Sequence, residues 1–215
     1  MRFTSGAGGR RDRYHHGNLR EALVATALDL IAERGPAGFA FAEVARAAGV
    51  SPAAPYRHFR DLNALLAEVA QRGFAQFAEA LAAGRAEGGA DPVRALERCG
   101  RAYLSFARRE PAYYAAMFET GLTLEADPAV RSASDRAFSV LREAAEAACA
   151  VAPAGRRPPA LMVALHLWAL AHGIASLFVG GGRRLPMSPE ELLEAGALIY
   201  LQSLGLAGGG GKSTG

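Results

Sequence analysis

The sequence predicts an all-α protein: an N-terminal helix-turn-helix domain followed by a helical C-terminal domain, about nine helices in total. Three observations carry this. Alanine, the best helix former, is abundant while Val, Ile and Thr are sparse, and no run alternates apolar and polar residues as a half-buried strand does. Helix starts are marked by a capping residue followed by proline at the first helical position: Ser51-Pro52, Asp91-Pro92, Asp127-Pro128 and Ser188-Pro189. The longer segments carry apolar residues at helical spacing.

The first helix is expected over 19–34. Asn18-Leu19-Arg20-Glu21 resembles a capping box, Leu23, Ala27, Leu30 and Ile31 share one face, and Gly35-Pro36 stops it. A short helix over 42–48 comes next. Gly49 supplies the positive φ of a tight turn, Val50 plugs the gap between helices, and Ser51 caps a second short helix over 52–59, whose first turn leaves N–H groups free to meet a phosphate. A longer helix over 62–83 buries Leu62, Leu65, Leu66, Val69, Gly73, Phe74 and Phe77, and the glycines at 84, 88 and 89 are read as a break after it. Five helices complete the chain, over 92–109, 111–119, 128–150, 159–179 and 189–204, the last with a capping box of Ser188 and Glu191. The expected division is a flexible basic arm at 1–13, the helix-turn-helix domain at 14–72, the helical domain at 73–206 and a disordered Gly-rich tail at 207–215.

Charge is unevenly placed. Residues 1–72 carry ten Arg against seven Asp and Glu, whereas the remainder balances at fourteen of each sign. The basic excess of the chain therefore lies in its N-terminal third, as expected of a part that meets a polyanion. Cys99 and Cys149 form no CxxC and fall in apolar helical patterns, so both read as buried thiols in a reducing compartment. No apolar leader opens the chain, and a cytoplasmic location is expected. Between Arg157 and Arg183 there is no charged residue, a length able to span a bilayer. His166, His172, Ser176, Gly173 and the opening Pro158-Pro159 favour a buried helix of a soluble domain, with no membrane partner.

Two short helices joined by a Gly turn form the arrangement that sets the second in the major groove of DNA. The stretch FAEVARAAGVSPAAPYRHF followed by LNALLAEV resembles the signature of the TetR family of transcriptional regulators. YHHGNLREAL is similar to one large branch of that family, and LWALAHG, with Trp168, His172 and Gly173, resembles the Trp-His-Gly element of the C-terminal domain in that branch.

The resemblance implies DNA contacts position by position. Tyr56 and His58 hydrogen-bond the DNA backbone, Ser51 anchors the helix start on a phosphate, and Pro52, Ala53, Ala54 and Arg57 face the groove while Phe59 packs inward. The fork of Arg57 suits a guanine edge or a phosphate, but Ala53 and Ala54 offer only apolar contact, so base readout is expected to be thin and DNA shape to matter more. Arg13, with Arg10, Arg11, His15 and His16, forms an arm able to reach a minor groove. The chain departs from the family pattern at Ala40, Ala42 and Leu62, where a capping residue and two basic residues are common; Arg60 or the arm is expected to compensate.

For the C-terminal domain the resemblance implies a homodimer through the helices over 159–179 and 189–204, and a small-molecule effector. Trp168 and His172 share a helix face, and Ala169, Gly173 and Ser176 make a strip of small residues suited to close helix approach. Candidate effector contacts are Tyr103, Phe106, Tyr113, Tyr114, Met117, Phe118 and Phe138, joined by Trp168 and His172; an aromatic lining suits a hydrophobic or flat inducer. His172 reads either as a satisfied core histidine or as a ligand contact. His166 and His172 lie on different faces without a third ligand, so no metal is expected, and no cofactor. The reading is a repressor on double-stranded palindromic operator DNA. The alternatives are a DNA-binding dimer without an effector and, more remotely, a helical enzyme, for which no nucleophile elbow, metal set or phosphate loop is present.

Overall fold

The computed structural model describes residues 19–121, 127–179 and 186–206. The arm, including Arg13, and the tail from 207 on lie outside them, as does Asn18. Among the described residues there are eight α-helices and two short 3₁₀ turns: α1 Leu19–Arg34, α2 Phe41–Ala47, α3 Leu62–Glu87, α4 Pro92–Arg109, α5 Pro111–Phe118, α6 Pro128–Ala150, α7 Ala160–Val179 and α8 Pro189–Ser203.

The caps at Asp91, Asp127 and Ser188 form as the sequence predicts. Asp91 accepts from the N–H groups of Val93 and Arg94 at 3.0 and 3.1 Å, Asp127 from those of Ala129 and Val130 at 2.9 and 3.2 Å. At Ser188 both halves of the capping box are present: the Glu191 N–H donates to the Ser188 hydroxyl at 3.1 Å and the Ser188 N–H to the Glu191 carboxylate at 2.8 Å. The structure adds a cap that sequence reading misses, Asp61, which accepts from the Ala64 N–H at 2.8 Å.

Two expectations need correction. The segment 52–59 is not an α-helix; its regular part is a single 3₁₀ turn, Pro55–Arg57. Pro55 would be the fourth residue of the expected helix and has no N–H to give to the Ser51 carbonyl. That carbonyl takes the Ala54 N–H instead at 3.0 Å, and the tighter pattern continues with Arg57 to Ala54 at 3.2 Å and His58 to Pro55 at 2.9 Å. Second, the glycine at 84 does not break the chain. It lies inside α3, which runs on to Glu87, because α3 and α4 cross there: a Cβ on Gly84 would come within 2.7 Å of the Ala102 Cβ.

Two buried clusters organise the helices. The smaller unites Leu23, Ala27 and Ile31 of α1, Phe41 and Val44 of α2, Phe59, and Leu65, Leu66 and Val69 at the start of α3. The larger fills the space between α3, α4, α6, α7 and α8. α3, 26 residues and so about 39 Å long, serves both: Phe74, Phe77 and Leu81 enter the larger cluster. α5 also serves both. Ala116 is buried in the smaller cluster, while Tyr114 and Met117 belong to the larger. Cys99 and Cys149 are buried and unpaired, and burial pushes the Cys99 thiol up to about 11, so both stay protonated and inert.

Candidate DNA interface and helical core site

The turn between α2 and the 3₁₀ segment is set by Gly49 at φ +71°, a conformation that L side chains rarely adopt. It brings the Val50 N–H onto the Ala45 carbonyl at 3.0 Å and turns the chain away from α2. The segment beyond the turn divides cleanly by exposure. Pro55 and Phe59 are buried, and Ser51, Pro52, Ala53, Tyr56, Arg57, His58 and Arg60 are exposed, with Ala54 half-buried. The buried pair pins the segment to the smaller core and leaves its other side open. The Ser51 side-chain cap does not form, since the helix it was to cap is absent; among the described residues its hydroxyl makes no hydrogen bond. Tyr56 is 61% exposed yet held in place, its ring edge-on to Phe41 with centroids 5.1 Å apart. Arg60 pairs with Asp61 at 3.1 Å.

The missing capping side chain at Ala40 is offset by Glu43, whose carboxylate accepts the Ala40 N–H at 2.9 Å and the Arg34 guanidinium at 3.0 Å. These bonds hold its carboxyl below the usual carboxylate range. A second network, which spacing alone does not reveal, joins α1 to α3. The guanidinium of Arg72 donates to Glu21 at 2.6 Å and to Glu68 at 2.8 Å, and Arg20 donates to Glu68 at 2.7 Å. Arg20 also lies 5.3 Å above the Phe59 ring, so the network reaches the end of the recognition segment.

In the larger core the predicted aromatic residues do meet. Phe77 packs at 4.8 Å from Tyr103, 5.1 Å from Phe106 and 5.7 Å from Trp168, and Phe138 reaches Trp168 at 5.5 Å. Phe118 stands 4.9 Å from His172. Met117 is buried beside them, and Tyr113 is half-buried between the two cores. Phe77 is not among the expected contacts, although the apolar stripe of α3 includes it.

Against this cluster lies a polar group that runs from the buried Tyr103 and Tyr114 through half-buried His172 to exposed Ser176. The Tyr103 and Tyr114 hydroxyls are hydrogen-bonded to His172 Nδ1 at 2.8 and 3.1 Å, and Tyr114 also reaches the Ser176 hydroxyl at 3.3 Å. Burial pushes both tyrosines above their ordinary range and holds His172 below the ordinary histidine value, against a weaker pull from Glu119. A histidine with a lowered folded pKa contributes stability that is complete above its unfolded value, about 6.5, and is lost as pH falls below it. The melting temperature should fall between pH 7.5 and 5 more steeply in the native protein than in His172→Gln, which does not titrate; parallel curves would refute this.

His166 lies elsewhere on α7, its Nδ1 2.7 Å from the Tyr200 hydroxyl of α8. Among the described residues no three His, Cys, Asp or Glu side chains are placed to hold a metal ion. α7 is long and apolar enough to cross a membrane by length and composition. Its inward side is buried in the larger core, and Leu161, Leu165 and Leu177 lie on its exposed side.

Comparison with known proteins agrees with this architecture. Residues 23–69 match the profile of the bacterial regulatory proteins of the TetR family, and residues 96–198 that of a tetracyclin repressor-like C-terminal domain. No curated protein matches the chain. Among solved structures, a protein of unknown function from Rhodococcus sp. RHA1 is 31% identical, with 89% of this chain and 98% of that one covered at a TM-score of 0.74. The TetR family transcriptional regulator PfmR from Thermus thermophilus shares the fold at 22% identity, 84% and 97% coverage and a TM-score of 0.64. AibR, solved in complex with isovaleryl coenzyme A and operator DNA, does so at 23% identity, 84% and 96% coverage and a TM-score of 0.64. With two family profiles covering most of the chain in the expected order, the protein belongs to the TetR family of transcriptional regulators and carries their helix-turn-helix DNA-binding domain at its N-terminal end.

Proposed function

We propose that the protein is a cytoplasmic repressor that binds a palindromic operator as a homodimer and is released by a small hydrophobic or aromatic effector. The exposed row of Ser51, Pro52, Ala53, Tyr56, Arg57 and His58, pinned from behind by Pro55 and Phe59, carries the DNA half of this reading. Arg57 supplies charge and Tyr56 a fixed hydroxyl, while the alanines leave room for the groove wall. The division between a DNA-binding domain at 14–72 and an effector and dimer domain at 73–206 is part of the proposal, as is membership of the Trp-His-Gly branch through Trp168 and His172. The dimer is assigned to α7 and α8, whose exposed Leu165, Leu177, Leu198 and Ile199 give an apolar face to a second copy. In that dimer two recognition segments meet grooves one turn apart, ~34 Å.

Support for the effector is the polar group formed by Tyr103, Tyr114, His172 and Ser176 at the edge of the aromatic core, and α5, which joins that core to the DNA-binding one. A ligand that moves Tyr114 moves α5, and with it the seat of α1 and α3. AibR, with its acyl coenzyme A and operator, is a precedent for such pairing. The close packing around Phe77 favours the second reading, a DNA-binding dimer without an effector.

The test is to enrich an operator from random DNA with the purified protein. A palindrome is expected. Arg57→Gln should then lower the slope of log K against log salt by about 2, because each copy of Arg57 in the dimer neutralises one phosphate, whereas Tyr56→Phe should weaken binding with the slope unchanged. No enriched sequence would overturn the DNA reading. A compound that both raises the melting temperature and releases the operator decides between the two readings of the core.

A further inference from the structure

A cleft separate from the aromatic cluster opens between α4, α7 and α8. Its volume is about 180 Å³. Leu96, Leu167, Leu193 and Leu201 form the floor, all of them buried in the larger core. A cavity of about 150 Å³ suffices for a benzene ring, so the space suits one ring or a short alkyl chain rather than a drug-sized molecule.

The rim is charged, and its charges do not balance. Glu97 and Arg101 approach from α4 and Glu194 from α8. Arg101 is committed to Glu194 at 2.9 Å. Glu97 is half-buried and makes no hydrogen bond or ion pair among the described residues. Beside an apolar floor stands a carboxylate without a partner, at an edge where water is partly excluded and an added cation gains more than at a fully exposed site.

We propose that this cleft binds a small amphipathic amine, its hydrocarbon body on the leucine floor and its ammonium donating to the Glu97 carboxylate. A neutral analogue keeps the apolar contact and loses the ion pair, and an anionic one meets the Glu97 carboxylate as a like charge. The site lies outside the aromatic cluster assigned to the effector, and occupancy here does not depend on operator release.

The test uses the full chain and three probes of one shape: cyclohexylmethylammonium, cyclohexylmethanol and cyclohexanecarboxylate, titrated calorimetrically. The ammonium should bind at least tenfold more tightly than the carboxylate, with the alcohol between. Glu97→Gln should bring the ammonium to the level of the alcohol. Ala197→Leu, which fills the cleft from α8, should remove binding of all three. Should that variant melt early, chemical shifts of the Leu193 and Leu201 methyls of the floor in the native protein give the location, and they should move with the ammonium. Equal binding of the three probes, no binding at all, or shifts confined to other residues would overturn the assignment. Operator affinity measured in parallel reports on the DNA reading, which stands whatever the probes do.

Discussion

Phe77→Ala should lower the unfolding free energy by about 3–5 kcal/mol, the usual cost of truncating a buried phenylalanine. Phe77 is fully buried and meets rings from two further helices, Tyr103 and Phe106 on α4 and Trp168 on α7. Its removal forfeits the transfer of a ring from water and leaves a hole that three anchored helices cannot readily close. Chemical denaturation of both proteins measures the difference, and a loss under about 1 kcal/mol would show that the cluster relaxes around the gap. The same variant examines the core as a receptor. Benzene should raise the melting temperature of Phe77→Ala by more than that of the native protein, whose aromatic cluster is filled by its own rings and where the leucine-floored cleft beside α8 takes a ring instead. An equal benzene response in the two proteins would mean that the truncated cluster closes over the gap and offers no receptor.

Gly49→Val should cost about 1–2 kcal/mol through the backbone alone, since a left-handed conformation penalises a Cβ by that amount. The space is open: a Cβ on Gly49 meets nothing within 4 Å. The cost is therefore strain at φ +71° and not a clash. The turn relieves strain by rotating, and rotation there swings Tyr56, Arg57 and His58 relative to α2. Operator affinity should drop at least tenfold while the near-ultraviolet signal of the C-terminal aromatics is retained. Gly49→Asn, which tolerates the left-handed region, should lose far less. Equal losses in the two variants would point to the side chain and not to φ.

The helix-turn-helix and the helix starts are legible in the sequence because their causes are local. A cap needs an oxygen two or three residues before an N–H, and Asp91, Asp127 and Ser188 stand at that distance in the chain. The departure at 52–59 is local as well: Pro55 withholds the donor that an α-helix needs there, and this outweighs the capping pattern of Ser51-Pro52 three residues earlier. The candidate DNA residues other than Arg13 can be proposed because they all sit between Ser51 and Arg60, so exposure of some and burial of others comes from a single short segment.

Other features have no local cause. Gly84 stays inside α3 only because α4 crosses there, and the contact is with Ala102. Arg72 finds Glu21 51 residues away, a pairing no spacing rule proposes. The sequence by itself determined an all-helical fold class, the caps at Asp91, Asp127 and Ser188, the Gly49 turn and a set of aromatic residues without an arrangement. The tertiary structure decided that those rings pack on one another beside His172, that α5 divides its faces between two cores, and that the cleft with the Glu97 carboxylate at its rim lies beside α8. The reason is range: hydrogen bonds at helix ends join neighbours in the chain, whereas packing and charge pairing join whatever the fold brings together.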